Sequence, residues 1–204
     1  MTGAREGGLG GALDGGAVTL ERWWQTLRWL RARQIYGRLW FRAYRPRPEL
    51  EPSPTPRFAS GPWVAPIARE PSLLGPALVR LLDETREIGS PRAWDASEVP
   101  RLWRYHLHYF DDLNAHGAAE RAAWHEALLQ RWISENPPGR GTGWEPYPTS
   151  LRIVNWIKWS LGGGALGVAQ RDSLAAQVRW LSKRLEWHLL GNHLWSNAKA
   201  LLYA

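Results

Sequence analysis

The sequence predicts a mainly α-helical protein behind a Pro-rich extended connector. Three observations lead there. Apolar residues recur at helical spacing from about residue 100 onward. Nine of the fifteen prolines fall between residues 46 and 76, a density that excludes a helix or a central strand. There is no cysteine, so the fold does not rest on disulfides or thiolate metal sites.

Residues 1–18, "MTGAREGGLGGALDGGAV", read as a flexible Gly-rich leader without the cationic start and apolar block of a signal peptide. Residues 19–45 predict a basic amphipathic helix, with Leu20, Trp24, Leu27, Leu30, Gln34, Ile35 and Leu39 at helical spacing. Eight Arg and no acidic residue lie between Arg22 and Arg47. Such a helix suits peripheral contact with an anionic membrane. The favoured alternative is that it packs on the main domain with its Arg face toward water. Residues 46–98 form the connector, in which "RFASG" and "PWVAP" are candidate short edge strands.

Residues 99–204 form the helical domain. "LWRYHLHYFDDLNAHG" predicts one helix ended by Gly117, and "AAERAAWHEALLQRWISEN" a second ended by Pro137-Pro138. A Gly/Pro loop leads into "SLRIVNWIKWSL", which three glycines end. A long helix is expected from Asp172, as N-cap, to Leu190. Gly191 interrupts it, and Asn192 is placed to cap a new helix through His193, Asn197 and Lys199. That helix has hardly begun at Ala204, so the chain reads as a fragment of a larger fold.

The formal charge of +7 points to an anionic partner: nucleic acid, membrane surface or acidic glycan. Because 23 of the 26 basic residues are Arg, a plain codon bias is the competing explanation. Fifteen Trp call for an aromatic-rich core or a groove of flat rings on which sugars or bases stack. His106 and His108 point to different sides of a helix, with no third ligand at metal spacing. A packing or hydrogen-bonding role is expected for them, and neither a metal nor a cofactor.

Three groups carry candidate chemistry. At 100° per residue Arg152, Asn155, Trp156 and Trp159 share a narrow face, with Ile153, Val154, Ile157 and Leu161 opposite. A guanidinium, an amide and two indoles suit a carboxylated sugar. The same face also suits a polar contact between helices, with Trp filling space. In the preceding loop Trp144 and Tyr147 are aromatic candidates, and Glu145 can orient an Arg or stand solvated. Finally, "LGNHLWSN" sets an amide, Asn192, beside an imidazole, His193, in the first turn of a helix. There the helix dipole favours a neutral ring able to act as a base. A cap beside a packed histidine is the structural alternative.

Together "LWRYHLHYFDDL", "GTGWEPYPTSLRIVNWIKW" and "LEWHLLGNHLWSNAKAL" resemble the N-terminal catalytic region of the heparinase II/III-like polysaccharide lyases. "RARQIYGRLWFR" is similar to the lead-in of such proteins. The resemblance implies an incomplete α/α toroid here, with the family's β-sandwich, a catalytic Tyr and a further His beyond Ala204. It implies β-elimination on acidic polysaccharides, bacterial periplasmic or secreted enzymes, and inactivity of this chain alone. Asn192 and His193 match the family's catalytic Asn-His pair, while Arg152, Asn155, Trp156, Trp159, Trp144 and Tyr147 are expected to bind substrate. Nucleic acid is not an expected partner.

Overall fold

Proline density keeps the described part of residues 44–72 out of helices and strands, and Arg69 there forms an isolated bridge with Ala115. The computed structural model describes residues 24–25, 31–56, 61–65 and 67–204, and the predicted leader over 1–18 lies outside them. Among the described residues the protein is mainly helical. It comprises α1 (Ala32–Ala43), α2 (Arg101–Leu107), α3 (Ala122–Glu135), α4 (Pro146–Leu161), α5 (Val168–Lys183) and α6 (Gly191–Tyr203). One antiparallel sheet, β1 (Leu73–Gly75), β2 (Leu78–Leu81) and β3 (Glu84–Glu87), runs in the order β1-β2-β3.

The strands fall at 73–87 rather than in the predicted "RFASG" and "PWVAP" segments, whose residues 57–60 and 66 lie outside the described set. Leu82 and Asp83, with φ of 52° and 61°, make a two-residue turn between β2 and β3 of the kind that matches strand twist. Leu73 and Val79 turn one sheet face onto the helical body.

Asp112 fixes that sheet. Its Oδ1 accepts the N–H groups of Ser72 (2.6 Å) and Leu73 (2.9 Å), and its Oδ2 accepts from Arg121 (2.9 Å) and from His125 (2.7 Å). Burial opposes the carboxylate, but these donors outweigh it and hold the group down to about 2. The same pull explains why the predicted helix over 102–117 breaks. α2 ends at Leu107, Phe110 takes a left-handed φ of 59°, and Asp111–Asn114 form a 3-10 turn that delivers Asp112 to β1.

The core is built largely of indoles. Trp132 is fully buried, with the Phe110, Trp144 and Trp156 rings 6.3, 5.8 and 5.8 Å from its own. Four of the six buried indoles have a hydrogen-bond partner for their N–H, and those of Trp103 and Trp156 have none among the described residues. Trp132 donates to His108 Nδ1 (3.0 Å), Trp94 to Glu135 (2.6 Å), Trp144 to the Asn136 carbonyl (3.2 Å) and Trp180 to the Trp144 carbonyl (2.8 Å). His108 is sealed, its Nε2 bonded to the Trp94 carbonyl (2.9 Å), and burial lowers its proton affinity to about 3. It is a neutral packing residue.

α4 is central, packed against both α5 and α6. Pro146 opens it, where a missing N–H is harmless, and Gly162–Gly164 close it. A Cβ on Gly164 would stand 2.3 Å from the Trp159 indole, so that turn admits only glycine. Two expected caps are displaced. α5 begins at Val168, and Asp172 instead accepts the Ser53 N–H at 2.8 Å, tying the connector to the helices. α5 also stops at Lys183 rather than Leu190, because the next turn is held by tertiary bonds described below. α6 starts at Gly191 with Leu190 (φ 61°) before it, so Asn192 lies inside the first turn and does not cap the helix.

Candidate functional site

The link between α5 and α6 carries the chemistry. Arg184 leaves the α5 register because its guanidinium donates to the carbonyls of Phe41 (2.7 Å) and Tyr44, which anchors the end of α1 here. Two residues on, the Glu186 N–H donates to Asn197 Oδ1 at 2.9 Å. Asn197, buried on α6, also donates to Ser150 Oγ on α4 (2.9 Å) and to Glu186 Oε2 (3.3 Å). Ser150 in turn donates to the Pro146 carbonyl (2.8 Å). A buried carboxylate is thus fixed between two helices by one amide.

The other oxygen of Glu186 faces His193. Their Nδ1···Oε1 distance is 3.1 Å. An acceptor at Nδ1 assigns the ring proton there and leaves Nε2 as the basic nitrogen. The Tyr147 ring, in the first turn of α4, lies 4.4 Å from the imidazole and fixes its plane. Burial raises the proton affinity of Glu186, and the opposing pull of His193 and Asn197 does not cancel it.

Glu186 and His193 open on a cavity of about 1010 Å³. Across it, the Tyr105 hydroxyl and the Arg101 guanidinium both donate to Glu145 Oε2. Burial and Glu145 together push the Tyr105 phenol up, so it holds its proton. Arg104 pairs with Asp95 (2.6 Å). Arg42, Arg45 and Arg184 also line the cavity and have no carboxylate partner among the described residues. The enclosure is therefore cationic, with a histidine–carboxylate pair in its wall.

His193 and Tyr147 of the expected site residues come together here. Glu145 orients an Arg, one of the two roles expected of it. Asn192 is exposed beside His193, with no side-chain hydrogen bond among the described residues. The groove expected along α4 is corrected. Arg152 and Trp156 are fully buried and Trp144 nearly so. Arg152 donates to Gln177 Oε1 (2.8 Å), the His108 carbonyl (3.3 Å) and Thr149 Oγ1 (3.3 Å), and its guanidinium lies 3.8 Å from the Trp132 ring centre. The shared face is real, but it is a seam between helices and offers nothing to a ligand. Asn155 pins the chain turn through the Tyr109 carbonyl (2.8 Å) and Asp111 (2.8 Å). Trp159 stays half-buried beside a separate hollow of about 590 Å³.

Sequence reading missed Glu186, Asn197, Ser150 and Tyr105. The i, i+4 spacing of His193 and Asn197 was a legible signal that both face one way. Glu186 gave none, because it lay within an expected helix. Comparison with protein-family models, with curated proteins and with solved structures finds no match for this chain.

Proposed function

We propose that this chain carries the histidine-bearing part of a polysaccharide lyase site, in the α/α toroid class that its motifs resemble, acting by β-elimination on uronate-containing polysaccharides. The observation that carries the reading is the Glu186–His193 pair set in the wall of a cavity with three Arg, 42, 45 and 184, that lack carboxylate partners among the described residues.

In that reading the arginines neutralise the uronate carboxylate and make the C5 proton acidic. His193 Nε2 takes the proton while Glu186 accepts the Nδ1–H and stabilises the imidazolium that forms. The electron pair of the C5–H bond becomes the C4=C5 double bond, and the C4–O bond breaks. Tyr105, a protonated phenol on the cavity wall, is the donor for the leaving oxygen. Asn192, exposed next to His193 in the chain, would assist at the carboxyl.

The test is ultraviolet absorbance of the unsaturated uronate produced from acidic polysaccharides by the protein. Wild type should generate it, and both His193→Ala and Glu186→Gln should lose it while keeping their circular dichroism. A protein that binds these polysaccharides without producing the chromophore is a glycan-binding module, the second reading, which the arginine-lined cavity alone would also support.

A further inference from the structure

α1 is turned the opposite way from an ordinary surface helix. Only Gln34, Gly37 and Phe41 of α1 are half-buried, and its other residues are exposed. A Cβ on Gly37 would stand 3.0 Å from the His188 Cβ, Phe41 stacks 4.6 Å from the His188 ring, and Arg184 covers its face at 3.6 Å. At 100° per residue the main apolar arc of the helix points directly away from that stripe. Ile35, Tyr36, Leu39 and Trp40 form it, and the last three are 64%, 65% and 63% exposed. Arg31, Arg38 and Arg42 run along one edge of the arc and Arg33 along the other. Trp187, 55% exposed, extends the patch, sharing with Arg33, Tyr36 and Trp40 a shallow hollow of about 230 Å³.

We infer that this face docks on an anionic lipid surface. An aliphatic and aromatic arc bordered on both sides by Arg is the pattern of a helix lying in a bilayer interface, with Trp and Tyr at headgroup depth and guanidinium groups on the phosphates. A second copy fits less well. A two-fold contact would bring the Arg edges of one protomer against those of its partner. A polysaccharide would use the arginines, but it has no need of Ile35 and Leu39. The inference does not rest on the lyase reading: Ile35, Tyr36, Leu39 and Trp40 line no part of the His193 cavity, and of the flanking arginines only Arg42 does.

Vesicle flotation tests it, with the intact protein and phosphatidylcholine vesicles with and without phosphatidylserine. Binding should require phosphatidylserine and weaken as salt rises. The double variant Leu39→Ser/Trp40→Ser should cut the vesicle-bound fraction by roughly tenfold, and Arg33→Gln/Arg38→Gln should weaken it to a lesser degree. Both pairs are exposed, so circular dichroism should match wild type. The same variants run on immobilised heparin should differ, the Arg pair losing retention and the Leu39/Trp40 pair keeping it. Three results would overturn the inference. One is no flotation with phosphatidylserine vesicles. Another is flotation indifferent to Leu39→Ser/Trp40→Ser. The third is a sedimentation shift from dimer to monomer in that variant, which would make the face a self-association surface.

Discussion

Two carboxylate–histidine pairs sit in this molecule, and they are built for different ends. Asp112 and His125 meet at 2.7 Å, and Glu186 and His193 at 3.1 Å. Both acids are buried, at 6% exposure each. Asp112 has two backbone N–H groups and Arg121 besides its histidine, and its proton affinity falls. Glu186 has one amide besides its histidine, and its proton affinity rises. The second nitrogen of His125 is buried without a partner among the described residues, whereas His193 stands at a cavity. A pair whose acid is saturated with donors and whose base is sealed is a lock. A pair whose acid is undersupplied and whose base is accessible is able to exchange a proton.

Removing the acid separates the two most sharply. Asp112→Ala should cost about 3–5 kcal/mol, because it strands Arg121, His125 and the Ser72 and Leu73 N–H groups. Urea denaturation measures it, and a loss below about 1 kcal/mol would deny that Asp112 holds the sheet. Glu186→Gln keeps the shape and most of the bonds, and should change stability by less than about 1 kcal/mol.

On the functional side the order reverses. In the lyase reading proposed above, His193→Ala should lower turnover about a hundredfold, on the scale of lost acid–base catalysis, with little change in the denaturation midpoint. His125→Ala should lower the midpoint and leave the rate of the surviving folded enzyme alone. If the two histidines exchanged these phenotypes, the assignment of lock and site would be reversed.

Acid titration gives opposite signs for the two carboxylates. Asp112 has a depressed folded value, so its contribution is complete above the ordinary carboxylate range and disappears as pH falls from about 4 toward 2, amounting to about 2 kcal/mol. Asp112→Asn should remove that slope. Glu186 has a raised folded value, so its ionisation opposes folding and the penalty grows as pH rises through that value. The stability difference between Glu186→Gln and wild type should therefore favour the variant more at neutral pH than in acid, as paired denaturation curves would show.

The smallest effect is expected at Asn192. As a cap it would be worth about 1 kcal/mol, but it is exposed inside the first turn, and Asn192→Ala should stay within about 0.5 kcal/mol of wild type. A larger loss would restore it as a structural residue.

Local chemistry was legible from the chain alone wherever one residue type excludes the alternatives. The prolines from 46 to 71 keep the described residues before β1 out of helices and strands, Pro137-Pro138 end α3, and Gly162–Gly164 end α4. The helix that bears His193 also follows from sequence, since helical spacing resumes after Gly191, although the preceding helix ends earlier, at Lys183. Only the tertiary structure decided what each polar face meets. Arg152 and its indoles have the same pattern in a groove as in a seam, and the seam was chosen when Gln177 and His108 arrived from α5 and the end of α2. "RLEWHLL" is compatible with a continuing helix, and it is unwound by bonds from Arg184 to α1 and from Glu186 to Asn197. The sheet lies at 73–87 because Asp112, some forty residues downstream, holds Ser72 and Leu73. Helical periodicity records which residues share a side. Whether that side meets water, another helix or a distant donor depends on contacts between segments far apart in the chain, and those alone made Glu186 and His193 a pair.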